Sequence, residues 1–308
     1  MLVVTGGTGF LGSNVLAAAR ANERAVIAVG YSRVAAQHDL HTVAADLTKP
    51  GAAKELIHDL QPEMLINCAA LASVDESESN PAKARLLNVT LPRELALACR
   101  DAGIAFTHVS TDSVFDGKVG QYREVDSPNP INEYAKSKLE GERAVLDAMP
   151  HALVVRTNFI GVSNGPGVGL AEWICGKLEA GERIKGFTDV VVSPLEAGTL
   201  SELLMRMTDL RLGGVYHLGA SDEMSKFDLA RAIAAALDLD SSLIDRATVE
   251  EGGLGAPRPL RISLDSSKAA AALSHKLPSV QDTVNSFANA WRSRNLRFSR
   301  SGSKNKIN

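Results

Sequence analysis

Tyr134-Ala135-Lys136-Ser137-Lys138 sets a phenol and an ammonium four residues apart. On a helix the two side chains share one face, a turn apart. An ammonium there stabilises the phenolate, so the phenol can pass a proton to or from a carbonyl oxygen near neutral pH. The spacing alone is a weak signal and needs a partner hydroxyl and a cofactor site. Thr111, in Ser110-Thr111-Asp112 at the end of an apolar run, supplies a hydroxyl that can hydrogen-bond a substrate carbonyl. The cofactor site is sought in Thr5-Gly6-Gly7-Thr8-Gly9-Phe10-Leu11-Gly12. Gly6, Gly9 and Gly12 let a backbone turn tightly and approach a pyrophosphate, while the helix opening there offers free N–H groups and the positive end of its dipole. A tight turn without a ligand is the competing reading. The position directly after the first strand of a βαβ unit favours a dinucleotide, with Thr8, Phe10 and Leu11 completing the turn.

Further candidates stand at successive strand ends. Val29-Gly30-Tyr31-Ser32-Arg33 carries no acid to accept from a ribose 2′-hydroxyl. Ser32 and Arg33 can instead hold a 2′-phosphate, which favours NADP with NAD as the alternative; otherwise Arg33 is a solvated loop residue. Asp46-Leu47 follows the third strand, where a carboxylate can accept from an adenine amino group. Cys68, Ala69 and Ala70 end the fourth strand in small side chains that let backbone approach a ribose. Each is separately readable as an ordinary strand-end turn. Asn88, in Leu87-Asn88-Val89-Thr90, either anchors a backbone or water relay beside the cofactor or makes a structural hydrogen bond.

These residues need strands to carry them. Apolar runs predict strands at Leu2–Thr5, Ala25–Val29, Thr42–Ala45, Met64–Cys68, Ile104–Ser110, Leu153–Thr157 and Val215–Leu218. Most are continuous rather than alternating, as strands covered on both faces are. Helical patterns lie between them at Gly9–Asn22, Lys83–Ala102 and Ile131–Met149. Strand and helix in alternation predict an α/β fold, a doubly wound parallel sheet (Rossmann-like) with its crevice at the carboxyl ends of the strands. After Thr157 the rhythm loosens. Leu170–Ala180, Ser225–Leu237 and Val280–Arg294 predict a smaller, mostly helical substrate lobe. The expected division is residues 1–160 plus about 188–220 for the dinucleotide-binding domain and about 161–187 plus 221–292 for the lobe. Residues 293–308 form a basic tail expected to be disordered.

Composition narrows the function classes. The 308 residues carry a net charge of −3, which gives no general pull toward nucleic acid or an anionic membrane. From Arg292 onward there are six cations and no acid, so residues 1–291 carry −9. Cys68, Cys99 and Cys175 are an odd, scattered set that reads as free thiols in a reducing cytosol. No leader and no long apolar run appears, so a cytoplasmic chain without a membrane span is expected. No metal site is expected: His38 and His41 read as solvated turn residues, and His217 as a hydrogen-bonded structural residue.

Taken together, the motifs resemble an extended short-chain dehydrogenase/reductase, and within that group the dTDP-4-dehydrorhamnose reductase family. The resemblance runs from residue 2 to about residue 291 and rests on Thr5–Gly12, Ser110–Gly117, Tyr122–Glu142 and Arg258-Pro259-Leu260-Arg261-Ile262-Ser263-Leu264-Asp265. It implies NAD(P)H-dependent reduction of a nucleotide-activated 4-keto-6-deoxy sugar in dTDP-rhamnose biosynthesis, and a homodimer as one expected assembly. Thr111, Tyr134 and Lys138 fall at the catalytic positions, with Tyr134 and Lys138 also against the cofactor. Thr111, Asp112, Asn158, Phe159 and Arg258 fall on the substrate side. The chain departs from the family pattern at Ser113, where tyrosine is usual, at Phe159, where tryptophan is usual, and over Thr188–Pro194. The same family fold also serves as a non-catalytic, NADP-binding regulatory subunit of methionine adenosyltransferase.

Overall fold

The computed structural model describes residues 1–31, 41–164 and 167–302, with side chains as far as Asn295. In chain order the elements of the first half are β1 (Leu2–Thr5), α1 (Phe10–Ala21), β2 (Val26–Gly30), β3 (Thr42–Ala44), α2 (Ala52–Leu60), β4 (Met64–Asn67), α3 (Val74–Ser79), α4 (Pro81–Arg85), α5 (Leu91–Asp101) and β5 (Ala105–Thr111). The second half runs α6 (Glu133–Ala148), β6 (Leu153–Thr157), β7 (Phe159–Ile160), α7 (Leu170–Glu179), β8 (Ile184–Phe187), β9 (Val191–Val192), β10 (Leu195–Glu196), α8 (Ala197–Asp209), β11 (Gly214–Leu218), β12 (Met224–Ser225), α9 (Lys226–Ala236), β13 (Ile244–Ala247), α10 (Ser267–Leu273) and α11 (Val280–Gly302).

Seven strands make one parallel sheet in the order β11-β6-β5-β4-β1-β2-β3. Each of the seven expected strands forms within a residue of its expected ends. From β1 the chain moves outward to β2 and β3, then crosses back to β4, so the order reverses between β1 and β4. That reversal opens a crevice at the carboxyl ends of the strands. One face of the sheet (Val3, Leu65, Phe106, Val154) packs under α2, α5 and α6. The other (Leu2, Val4, Ile66, Val155) packs against α1 and α8, and its core continues without a break into α7, α9 and α11. Outside the central sheet the chain also forms the two-stranded pairs β8–β13 and β9–β12. At two to four residues these strands are too short to show a periodicity of their own.

Two expectations are corrected. The helix expected over Lys83–Ala102 is interrupted by a π-helical turn at Leu86–Thr90. Pro92 has no N–H to offer the carbonyl of Asn88, and its ring would strike that carbonyl in a regular helix. The widened turn relieves the clash and faces the Asn88 carbonyl toward Gly141 of α6, where a Cβ would stand 1.9 Å from the oxygen. The tail is the second correction. Val280 to Ser301 contains neither proline nor glycine, and α11 continues to Gly302. Arg294 pairs with Glu172 at 2.5 Å and lies over the Trp291 ring, and Arg292 donates to the carbonyl of Ala236. Residues 303–308 lie outside the described residues.

A buried ion pair braces the sheet behind the crevice. Arg156 of β6 binds Glu142 of α6 through Nε at 3.0 Å and Nη2 at 2.7 Å, both side chains at most 5% exposed. Ser110 donates to the same carboxylate, and the guanidinium lies 5.2 Å above the Phe115 ring. His217 completes the group as expected: fully buried, it meets the carbonyl of Tyr122 through Nδ1 at 2.9 Å and Arg156 through Nε2 at 3.4 Å. Among the described residues no helix is long and apolar enough to cross a membrane.

The approach of α6 to the π-helical turn generates a prediction. Gly141→Ala forces apart two packed backbones and should destabilise the protein by about 1–3 kcal/mol. Urea unfolding followed by circular dichroism checks this; an unchanged midpoint would mean that the two elements separate at no cost.

Candidate active site

The crevice begins with the turn after β1. Gly6 has φ +66°, and a Cβ on it would lie 2.6 Å from the Ala69 nitrogen; one on Gly12 would lie 2.2 Å from the Gly6 carbonyl oxygen. These two glycines let three backbone segments meet. At Gly9 a Cβ would meet only the Gly6 oxygen, at 3.2 Å, so that side of the turn is open to approach. Gly9 also precedes α1 with no side-chain cap. An uncapped N-terminus of a three-turn helix above an open glycine fits a pyrophosphate, and these residues therefore fit a dinucleotide. Thr8 and Phe10 are half-buried at the rim, while Leu11 points into the core.

The flanking residues divide. Cys68 and Ala69 are half-buried and Ala70 exposed beside Gly6, across the strand reversal. Asp46 accepts from the Thr48 N–H and hydroxyl through one oxygen, and that hydroxyl contact holds its carboxyl below the usual range. Leu47 is buried under it. Ser32 and Arg33 lie outside the described residues. Asn88 is fully buried and hydrogen-bonds protein atoms: its Oδ1 accepts from Leu71 N, and its Nδ2 donates to Leu71 O and Ser137 Oγ. It locks the loop after β4 onto α6, which is the structural one of its two readings.

The three catalytic candidates come together. Asn132 caps α6 by accepting from Ala135 N at 2.8 Å, and its amide donates to the carbonyl of Pro257, so the first turn bearing Tyr134 is tied down at both ends. The Tyr134 phenol lies near enough to Thr111 for that hydroxyl to act on its proton affinity. Thr111 donates to Asp112 Oδ1 and accepts from Ser113 N, both at 3.1 Å. Lys138 follows a turn later on α6, buried, and donates to the Val109 carbonyl at 2.8 Å. Its Nζ stands 3.4 Å from His108 Nε2.

The proton affinities differ from the sequence expectation. Burial pushes the Tyr134 phenol up to about 12, with the Thr111 hydroxyl pulling it down and the Asp112 charge adding to the rise. The ammonium of Lys138 is directed at Val109 and His108 rather than at the phenol, so burial dominates the Tyr134 proton affinity. Burial draws Lys138 itself down to about 8, against the opposing influence of Glu142 and Cys68. At neutral pH the phenol is therefore a proton holder, which suits it to donate.

The substrate side is built around Asp112. Burial pushes this carboxyl up to about 6, while Asn158, which donates to it at 2.5 Å, draws it back, as do Thr111, Ser113 and the charge of Lys226. Phe159 packs edge-on against Phe10, ring centres 5.3 Å apart, and so joins β7 to the glycine turn. Arg258 pairs with Asp75 at 3.1 Å and donates to the carbonyl of Ala256. Val190, Val191 and Val192 are buried, and Val191 holds the Arg258 segment by backbone bonds to Leu260 and Ile262. Ser113 donates to Asp112 at 3.2 Å.

Sequence reasoning assigned no side-chain role to three residues. Lys226, at the start of α9, shares an electrostatic environment with Asp112 and Arg258. Asn67 and His108 form a buried polar row with Thr5. Their signal was available: each is a polar side chain near the carboxyl end of an apolar strand.

The family model described as the RmlD substrate binding domain matches residues 1–293. The chain is 35% identical over 285 residues to the probable low-salt glycan biosynthesis reductase Agl14 of Haloferax volcanii, covering 91% of this chain and 95% of that one. It is 35% identical over 272 residues to a dTDP-4-dehydrorhamnose reductase of Mycobacterium tuberculosis (86% and 84%) and 34% identical over 276 residues to methionine adenosyltransferase 2 subunit beta of Xenopus tropicalis (86% and 80%). A crystal structure of a dTDP-4-dehydrorhamnose reductase from Clostridium acetobutylicum superposes with a TM-score of 0.83 at 25% identity, over 94% of this chain and 99% of that one. With its glycine turn, its Thr111–Tyr134 contact and a family match over nearly its whole length, the chain belongs to the RmlD substrate-binding-domain family, the family of dTDP-4-dehydrorhamnose reductases that its motifs resemble.

Proposed function

We propose that the chain is an NADPH-dependent reductase of the 4-keto group of a nucleotide-activated deoxy sugar, with NADH as the weaker cofactor. The observation that carries this reading is the gathering of Thr111, Tyr134 and Lys138 at the carboxyl edge of the sheet, beside the open glycine turn. The reductases among its relatives support the same class of reaction. When bound, the nicotinamide supplies the hydride that the protein lacks. Thr111 orients the substrate carbonyl, and Tyr134, protonated at neutral pH, gives its proton to the carbonyl oxygen. Lys138 holds the tyrosine side of the site and its charge offsets the phenolate that forms. Asp112, Asn158, Phe159 and Arg258 make the substrate wall, with the guanidinium of Arg258 suited to a diphosphate. In this reading residues 1–160 with about 188–220 form the dinucleotide-binding domain, and 161–187 with 221–292 the lobe that closes over the substrate side.

A second reading, a subunit that serves another enzyme, is favoured by one observation, the 34% identity to a methionine adenosyltransferase subunit. Net oxidation of NADPH, followed by its absorbance with a panel of nucleotide-linked 4-keto sugars, separates the two. Tight NADPH binding without turnover of any of them would favour the subunit, and sugar turnover without net NADPH oxidation would point to an epimerase.

Tyr134→Phe should lower kcat by roughly 10²–10⁴-fold while NADPH binding stays within a few-fold of wild type. Full turnover by this variant would remove Tyr134 from the chemistry.

The cofactor preference rests on Arg33 and on the lack of an acid after β2. A charge-assisted contact to the 2′-phosphate is worth roughly 1.5–3 kcal/mol, so NADPH should bind about ten to a hundred times tighter than NADH. Arg33→Ala should abolish most of that ratio and leave NADH affinity unchanged in fluorescence titrations. Equal affinities in the wild type would mean that Arg33 is a solvated loop residue.

A further inference from the structure

We propose that Asn67 and His108 are positioning residues that fix the proton of the His108 ring on Nε2, facing Lys138, and so set the pH at which Lys138 loses its charge. The inference rests on the reading of Tyr134 and Lys138 as the catalytic pair only for its consequence in turnover; the placement of the proton is independent of it.

Thr5, Asn67 and His108 are register neighbours across β1, β4 and β5, all three at most 1% exposed. Asn67 Oδ1 accepts from the Thr5 hydroxyl at 2.6 Å and from the Ala69 backbone N–H at 3.1 Å. A backbone N–H can only donate, so the amide is assigned without ambiguity and Nδ2 is the atom facing His108 Nδ1 at 3.0 Å. Nδ2 also can only donate. His108 Nδ1 must then accept, and in the neutral ring the hydrogen resides on Nε2. Burial first, then the charge of Lys138, hold the imidazole well below its usual range, so the neutral form persists at neutral pH.

That Nε2–H faces Lys138 Nζ at 3.4 Å. An ammonium has no lone pair to receive it, whereas a neutral amine does. The histidine thus opposes the charged form of Lys138 and can bond the uncharged one. Of the other groups facing the lysine, Glu142 and Cys68 favour its charged form, but neither outweighs burial. Glu142 on α6 is committed to Arg156 and Ser110. The Cys68 thiol at the end of β4 is pushed up to about 12 by burial, so it carries no charge near neutral pH. Tyr134, a turn earlier on α6, is likewise neutral. The remaining contact, the Val109 carbonyl, accepts from amine and ammonium alike.

The test uses the full chain without cofactor. Long-range ¹⁵N–¹H correlation spectra of the histidine rings, with His108 assigned by His108→Gln, should show the hydrogen on Nε2 from about pH 5.5 to 9. The ¹³Cε resonance of Lys138, assigned by its loss in Lys138→Met, should titrate far below an ordinary lysine. In Asn67→Asp the new carboxylate accepts from His108 Nδ1, the ring proton changes sides, and Nε2 becomes an acceptor for the ammonium. The Lys138 midpoint should then rise by roughly one pH unit or more, and the alkaline limb of kcat/KM should rise with it. A wild-type ring protonated on Nδ1, or one that titrates in this range, overturns the proposal even where the variant does not fold. So does a variant whose ring proton changes sides without moving Lys138. A limb that ignores a shifted Lys138 leaves the proton assignment standing and counts instead against the catalytic role of that lysine.

Discussion

The structure depends on a backbone-to-backbone contact at the point where strand order reverses. Gly6 lies against Cys68 and Ala69 with no room for a side-chain carbon between them. This contact closes β1 onto β4 at their carboxyl ends and, through the parallel register, brings β5 alongside. The glycine turn, the loop after β4 and the Thr111 end of β5 therefore share one rim. The glycine turn and the Thr111–Tyr134 hydroxyls reach the same crevice because three strands end together.

Behind that rim the protein accepts buried charge. Taking Arg156 and Glu142 out of water costs several kcal/mol per ion, recovered only when geometry and secondary hydrogen bonds are complete. Here the pairing is bidentate, Ser110 and His217 supply further contacts, and the Phe115 ring covers the guanidinium. The network joins α6, β5, β6 and β11, so the helix bearing Tyr134 and Lys138 is held to the sheet by oriented polar bonds as well as by apolar packing. Oriented bonds specify rotation, which apolar contact alone leaves loose. Rotation of α6 is what decides whether the phenol meets Thr111.

The side expected to face the substrate departs most from the family pattern, and its departures have distinct physical effects. Val190–Val192 turn inward and anchor the Arg258 segment, so they act on that side from behind. Phe159 replaces a larger ring and packs on Phe10, coupling that side to the glycine turn. Ser113 leaves a small hydroxyl where the family pattern has a phenol, and that hydroxyl is engaged with Asp112. Lys226 adds a cation opposite Asp112 that no motif announced.

Much of this was determined by local sequence. Continuous apolar runs specify strands buried on both faces, and the turn that must follow Thr5 requires glycine, so the parallel sheet and its crevice were legible from periodicity, while the Thr111–Tyr134–Lys138 set, weak as a spacing, stood out only beside the glycine turn and through the family resemblance. Tertiary structure decided what depends on residues distant in the chain. The π-helical turn needed both Pro92 and the bare Gly141 of another helix. The short strand pairs of the second lobe gain their hydrogen bonds from partners up to sixty residues away. The direction of the Lys138 ammonium was decided by His108 and Val109 across the sheet interface, and the high proton affinity of Tyr134 by its burial. Spacing along a helix fixes which side chains share a face. What those side chains bond, and how firmly they hold a proton, is set by the burial and partners that only the assembled fold supplies.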